Sequence, residues 1–137
     1  MSDDNLSEII KTGVQSKGKV LVVDDSAFIQ SQMQRILTSE GYEIAGFASD
    51  GQSAVDFYQK EWKNIDVVTL DITMPRMDGI STLDAIMKIN KDAKVVMVTA
   101  VGKAELVKKA LLMGAKGYII KPIKQAMVLD KIATAME

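Results

Sequence analysis

Three aspartates, a threonine and a lysine in this chain each stand directly after a short apolar run. Asp24 and Asp25 follow Lys19–Val23 (KVLVV), Asp71 follows Asp66–Leu70 (DVVTL), Thr99 follows Val95–Val98 (VVMV), and Lys121 and Pro122 follow Gly117–Ile120 (GYII). Carboxylates gathered in one partly buried cleft repel each other strongly and need protons or a cation to offset their charge. A hard, oxygen-ligated ion is the economical solution, and Mg2+ characteristically takes few carboxylates plus waters and phosphate oxygens. Lys121 adds positive charge without being a metal ligand, and Thr99 adds a hydroxyl donor. A cation, an ammonium and a hydroxyl around a carboxylate suit a tetrahedral oxyanion group. Asp71 is then placed to attack phosphorus as a nucleophile, leaving an acyl phosphate.

Each residue also has a plain structural explanation. Asp is a favoured helix cap, which would account for Asp24 and Asp25, and Asp78 reads mainly as a cap. Asp71 fits a turn before Pro75, Thr99 fits a helix cap, and Lys121 fits a solvated surface position. Their coincidence at one end of successive apolar runs is the stronger signal.

The elements that must position these residues follow from hydrophobic periodicity. Together with Glu43–Phe47 (EIAGF), the apolar runs read as five short strands. Four are nearly continuous and rich in Val and Ile, as expected of parallel strands covered on both faces, whereas Glu43–Phe47 alternates more and belongs nearer an edge. Helical spacing fills the gaps. Ile29, Met33, Ile36 and Leu37 form one stripe, stopped by Gly41. Asp50 caps a helix bearing Val55, Tyr58 and Trp62, and Asp78 caps one with Ile80, Leu83 and Met87. Val107, Ala110 and Leu111 make a stripe ended by Gly114, and Leu129, Ile132 and Ala133 make the last. Strands alternating with helices predict a doubly wound α/β sheet with right-handed crossovers. In such a sheet, ligands bind at the carboxyl ends of the strands, where the polar residues collect.

Bulk composition narrows the chemistry. The chain of 137 residues fits one domain and can bury a core unaided. It has no cysteine, so thiol catalysis and disulfides are excluded, and no histidine, so any phosphohistidine donor must be another protein. A formal net charge of -1 gives no broad attraction to nucleic acid or anionic membrane. No signal peptide or run of membrane-spanning length is evident, and a soluble cytoplasmic protein is the expectation. The nine Met residues read as adaptable core filler, with Met113 and Met127 as candidates for an output face. Residues 1–18 read as an N-terminal extension ahead of a domain at 19–137. Leu6, Ile9, Ile10 and Val14 lie at helical spacing within it, which fits a self-packed tail or a short docking helix.

The segments VLVVDDS (Val20–Ser26), DITMPRMDG (Asp71–Gly79), VTA (Val98–Ala100) and KP (Lys121–Pro122) resemble, in this order, the receiver domains of bacterial response regulators. The resemblance covers about Lys19 to Glu137 and is nearest to single-domain chemotaxis proteins of the CheY type. It implies a flavodoxin-like five-stranded parallel sheet in the order 2-1-3-4-5, with helices on both faces. It also implies that Asp71 is the phosphoacceptor, that Asp25 binds Mg2+ directly and Asp24 mainly through water, and that Thr73 supplies a backbone carbonyl to the metal. Mn2+ is a substitute for Mg2+. Thr99 and Lys121 would contact the phosphoryl group, and small Ala100 would leave the approach open. Tyr118 matches the aromatic switch position that moves together with Thr99, although a half-buried strand tyrosine with a wet hydroxyl needs no function. The Lys121–Pro122 peptide is a candidate cis bond.

By the same resemblance the chain is a signalling protein rather than an enzyme in its own right. A histidine kinase would be its phosphodonor, the flagellar motor switch protein its favoured output partner, and a dedicated phosphatase a further candidate partner. A phosphorelay shuttle or a regulator outside motility are alternatives. Only enough sequence for one helix follows Lys121, so the expected output is a protein contact. A Mg2+-dependent aspartyl phosphatase of the haloacid-dehalogenase type would place its nucleophile after the first strand as D-x-D, where this chain has Asp24-Asp25-Ser26. A nucleotide or flavin module would need a phosphate loop in that place.

Overall fold

Five apolar segments pair side by side, all parallel, in the computed structural model, which describes residues 16–137. They are β1 (Lys19–Val23), β2 (Glu43–Ala48), β3 (Val67–Asp71), β4 (Val95–Thr99) and β5 (Gly117–Ile120), arranged β2-β1-β3-β4-β5. The helices between and after them are α1 (Ala27–Ser39), α2 (Gly51–Glu61), α3 (Gly79–Ile89), α4 (Ala104–Leu112) and α5 (Gln125–Ala135). The expected class and strand order are therefore present. The stripe of Leu6, Ile9, Ile10 and Val14 lies outside the described residues.

The period of two along each inner strand divides the core into two layers. Leu21, Val23, Val68, Leu70, Val95 and Met97 join Ala54 and Tyr58 of α2, Leu83 and Ile86 of α3, and Val107 and Ala110 of α4. Val20, Val22, Val67, Val96, Val98 and Ile119 join Met33, Ile36 and Leu37 of α1 and Val128 and Ile132 of α5. Burial on both faces explains why β1, β3 and β4 read as unbroken apolar runs, while β2 and β5, at the two edges, keep exposed residues such as Phe47, Tyr118 and Ile120.

Some boundaries differ from the sequence reading. β2 runs one residue further, to Ala48. β3 begins at Val67, and Asp66 just before it is tied to β1, its N–H donated to the Lys19 carbonyl and its carboxylate accepting the Lys19 N–H, each at 2.8 Å. β3 extends through Asp71, which pairs with Val98, and β4 extends through Thr99, which pairs with Ile120. The two chemical residues are thus held in the ladder rather than in loops. Leu111 and Ala133, expected on apolar stripes, are exposed, because α4 and α5 turn Val107/Ala110 and Val128/Ile132/Ala135 toward the sheet.

Asp50 and Asp78 do cap α2 and α3, accepting N–H bonds from Ser53 and Ser81 at 2.8 Å each. Gly41 and Gly114 adopt positive φ just after α1 and α4, where a left-handed residue ends a helix. Gly79 is required for another reason: a Cβ there would lie 2.3 Å from the Asp71 carbonyl oxygen and 2.5 Å from the Ile72 Cα. That close approach seats α3 directly beneath the end of β3. Gly79→Ala should therefore destabilise the fold by about 1–3 kcal/mol, the usual range for overpacking. A urea denaturation midpoint equal to wild type would show that the loop yields freely instead.

Candidate functional site

Parallel pairing brings the carboxyl ends of β1, β3, β4 and β5 to one edge of the sheet, and the chain order changes direction between β1 and β3 at that edge. Asp24 leaves β1 still in the ladder, its N–H donated to the Ala48 carbonyl at 3.0 Å. Its Oδ1 accepts the Ser26 N–H at 2.9 Å, its carbonyl accepts from Gln30 Nε2 at 2.8 Å, and Ser26 Oγ in turn caps α1 through the Ile29 N–H at 3.3 Å. The capping role considered for the two aspartates thus belongs to Ser26, and Asp24 orients the turn that leads to it. Asp25 is exposed.

Asp71 is 5% exposed, and its Oδ1 accepts the Thr73 N–H at 3.2 Å. The turn contribution expected of it is therefore real, but it leaves Oδ2 for other work. Lys121 Nζ lies 3.4 Å from that Oδ2 and 3.1 Å from Asp24 Oδ2. The contact with Asp24 is an ion pair of poor hydrogen-bond direction, so Asp24 Oδ2, fully buried, has no hydrogen-bond partner. Lys121 is thus no solvated surface residue. It leaves β5 with its N–H donated to the Thr99 carbonyl at 2.7 Å and precedes a cis peptide to Pro122.

Thr99 is buried, and its hydroxyl donates to the Ala100 carbonyl at 3.1 Å. It caps no helix, since α4 starts after Lys103 without a side-chain cap. Ala100 and Thr73 are exposed at the rim. Tyr118 sits on β5 with 38% exposure, on the edge strand beside α5, where Lys131 Nζ lies 6.0 Å from its ring centre.

Charge is unbalanced here. Asp24, Asp25 and Asp71 each offer a carboxylate oxygen within 4.8 Å of the other two, against the single ammonium of Lys121. Burial pushes the Asp71 carboxyl above its ordinary range, the neighbouring Asp24 pushes it the same way, and Lys121 only partly opposes them. Burial alone would lower the Lys121 ammonium, but Asp24 and Asp71 outweigh it and hold the group above its usual value. The donors fit a hard divalent cation on two counts: all are oxygens, and one is a buried carboxylate oxygen with no hydrogen-bond partner. The charge that faces this oxygen, the Lys121 ammonium at 3.1 Å, is shared with Asp71.

Two features escaped the sequence reading. Gly79 could have been suspected from its place after a capping aspartate. The bridge between Arg76 Nη1 and Asp50 Oδ2, at 3.0 Å, joins residues 26 apart and left no signal in spacing or periodicity.

The raised Asp71 value fixes the sign of a pH effect. A carboxyl with a higher value in the folded chain contributes stability below the ordinary aspartate range. That contribution is lost as pH rises through the folded value. In chelator, Asp71→Asn should match wild type near pH 4 and melt about 2–4 °C higher at pH 7. Added Mg2+ should close the gap by binding wild type preferentially. A variant less stable than wild type at pH 7 in chelator would mean that the Lys121 pair dominates over repulsion.

The family model described as response regulator receiver domain matches residues 20–133. The chain is 54% identical over 119 residues to the chemotaxis protein CheY of Treponema pallidum, covering 87% of this chain and 83% of that protein. It is 44% identical over 114 residues to the chemotaxis protein CheY of Thermotoga maritima, covering 83% and 93%. Among solved structures it resembles the CheX-CheY-BeF3-Mg2+ complex from Borrelia burgdorferi with a TM-score of 0.85 and 47% identity, covering 93% of this chain and 94% of that one. With its family model spanning most of the sequence and its five strands in the expected order, the chain belongs to the response regulator receiver family.

Proposed function

We propose that this chain is a phosphorylation switch in which Asp71 accepts the phosphoryl group, within a receiver unit spanning residues 19–137 and preceded by an extension at 1–18. The observation that carries the reading is the buried Asp71 carboxylate, flanked by an Asp24 oxygen without a hydrogen-bond partner and by the shared ammonium of Lys121. The Asp71 oxygen attacks phosphorus of a phosphohistidine on a separate histidine kinase. The new P–O bond forms as the P–N bond breaks, and the imidazole leaves with the electron pair. Mg2+, or Mn2+ in its place, would be held by Asp24, Asp25, Asp71 and the Thr73 carbonyl, and supplies positive charge for the phosphoryl oxygens.

The chain's own groups do the rest. Lys121, now divided between two aspartates, turns one N–H toward a phosphoryl oxygen. Thr99 exchanges its bond to the Ala100 carbonyl for one to the phosphoryl group, and exposed Ala100 leaves the approach open. Tyr118 then moves inward from its half-exposed position. Apolar Ile120 and Met127 lie exposed near it on β5 and α5, and a change in this surface alters partner affinity only if the partner binds the two states unequally. The relatives named as chemotaxis proteins favour a chemotaxis pathway, with the flagellar motor switch protein as output partner. The neighbour is solved in complex with CheX, which favours a further protein partner here, and a dedicated phosphatase is the candidate for it. No helix among the described residues is long and apolar enough to cross a membrane, which accords with a cytoplasmic role.

Incubation with a small-molecule phosphodonor tests the chemistry. Wild type with Mg2+ should take up about one phosphoryl group, stable in acid and labile in base, whereas chelated protein and Asp71→Asn should take up none. Label on Asp71→Asn would place the acceptor elsewhere. Tyr118→Ala should keep the label but lose phosphorylation-dependent partner binding by about tenfold, the size of a modest coupling free energy. Unchanged partner binding would remove Tyr118 from the switch.

A further inference from the structure

The segment between β3 and α3, residues 72–78, carries the Thr73 carbonyl on the rim of the acidic cleft. Its two ends are fixed by the backbone: the Ile72 N–H donates to the Val98 carbonyl at 3.0 Å, and the Gly79 N–H donates to the Ile72 carbonyl at 2.7 Å. Met74 is buried in the core layer below. The far side of the loop rests on α2, where a Cβ on Gly51 would come within 2.3 Å of the Met77 carbonyl oxygen. Between these supports stands Arg76 at φ 67, among the described residues the one non-glycine in the left-handed region, a conformation that persists only where surrounding contacts impose it.

The turn around it is closed by the Met77 N–H, which donates to the Pro75 carbonyl at 2.8 Å, and the Arg76 side chain adds a second tie. Arg76 Nη1 donates to Asp50 Oδ2 at 3.0 Å, while Asp50 Oδ1 accepts the Ser53 N–H at 2.8 Å as the cap of α2. The Asp50 side chain is 11% exposed and the Arg76 side chain 74%. The anchor therefore belongs to the body of the domain and the reaching arm to the loop. Mg2+ demands near-ideal octahedral geometry, so a carbonyl offered to it must already be aimed, or binding must supply the cost of ordering the loop.

We propose that Arg76 is a positioning residue for the divalent cation: its bridge to Asp50 holds the Thr73-bearing loop in its binding geometry before the cation arrives. This rests on the reading of the acidic cleft as a Mg2+ site, and it adds a residue that touches neither the cation nor the phosphoryl group. The bridge is largely solvated on the arginine side, so its contribution is modest and falls as salt rises.

The full chain is tested as wild type, Arg76→Ala, Asp50→Asn, the double variant and Arg76→Lys. Asn retains the helix cap while removing the charge, so Asp50→Asn separates the bridge from the stability of α2. Two measurements are made: calorimetric titration with MgCl2, and hydrogen exchange of the metal-free proteins. Each single variant should bind Mg2+ about three- to fivefold more weakly, and the double variant no more weakly than either single, because both remove one interaction. Arg76→Lys should recover part of the affinity. Without metal, the amides of residues 73, 74 and 76–78 should exchange faster in the variants while those of β1, β3 and β4 stay protected. Wild-type affinity in both single variants, or losses that add in the double variant, would overturn the proposal. So would unchanged loop exchange. If wild type itself gives no Mg2+ binding, the metal reading falls instead, and that result is distinguishable because the wild-type loop stays protected relative to the variants.

Discussion

The constraint on which the rest depends is charge buried with too little to balance it. Asp24 and Asp71 are almost wholly removed from water, Asp25 stands beside them, and one ammonium serves the group. An isolated buried carboxylate ordinarily acquires a proton or a partner. Here Lys121 reaches both inner aspartates yet leaves Asp24 Oδ2 without a directed hydrogen bond. Such an arrangement is poor as a stabilising ion pair, because desolvation is not repaid by good geometry. It makes sense as a place kept ready for additional positive charge and, on the proposed reading, for the dianionic group that follows it.

Holding that charge in place requires a rigid frame, and the parallel sheet provides one. Asp71 and Thr99 are the last residues of β3 and β4, paired with Val98 and Ile120, so their backbones cannot drift. Asp24 continues the ladder by its bond to Ala48, and Lys121 does so by its bond to Thr99. The hydrophobic layers on both faces hold the strands that carry these residues. Asp25, Ala100 and the loop after β3 lie outside the strand pairing, and in that loop the chain uses close approach at Gly51 and Gly79 together with the Asp50–Arg76 bridge.

Most of this frame was legible in the sequence because hydrophobic period is a strong local signal. Three of the four apolar runs are buried strands, whereas Gly117–Ile120, read as covered on both faces, is an edge strand with Tyr118 and Ile120 exposed; each of the five chemical residues lies where its run ends at the carboxyl edge. What local pattern could not show was how far the ladder reaches: Asp71 and Thr99 look like loop residues, since a polar side chain ends an apolar run, yet the neighbouring strands still pair with them. Leu111 and Ala133 misled for a related reason. At helical spacing, adjacent apolar positions compete for the same face, and which is buried depends on the angle at which α4 and α5 meet the sheet. The Asp50–Arg76 bridge spans two loops with no periodic relation, so only the folded chain brings it into view.

The edge strand β5 raises a further point about how such a site can communicate. It pairs on one side only, and its two outward residues, Tyr118 and Ile120, remain exposed while Ile119 is buried. Lys121 follows them immediately, so the residue that answers to charge in the cleft and the residues that form a surface share one short segment. The Thr99 hydroxyl, spent on the Ala100 carbonyl, lies on the adjacent strand. On the proposed reading, a change in what Lys121 and Thr99 bind would act within a few residues of exposed apolar side chains, through a strand that only β4 restrains in the sheet. Packed interiors resist continuous deformation. A half-covered edge next to a charged cleft is where two arrangements of similar free energy are easiest to maintain, and a ligand that favours one of them shifts the population.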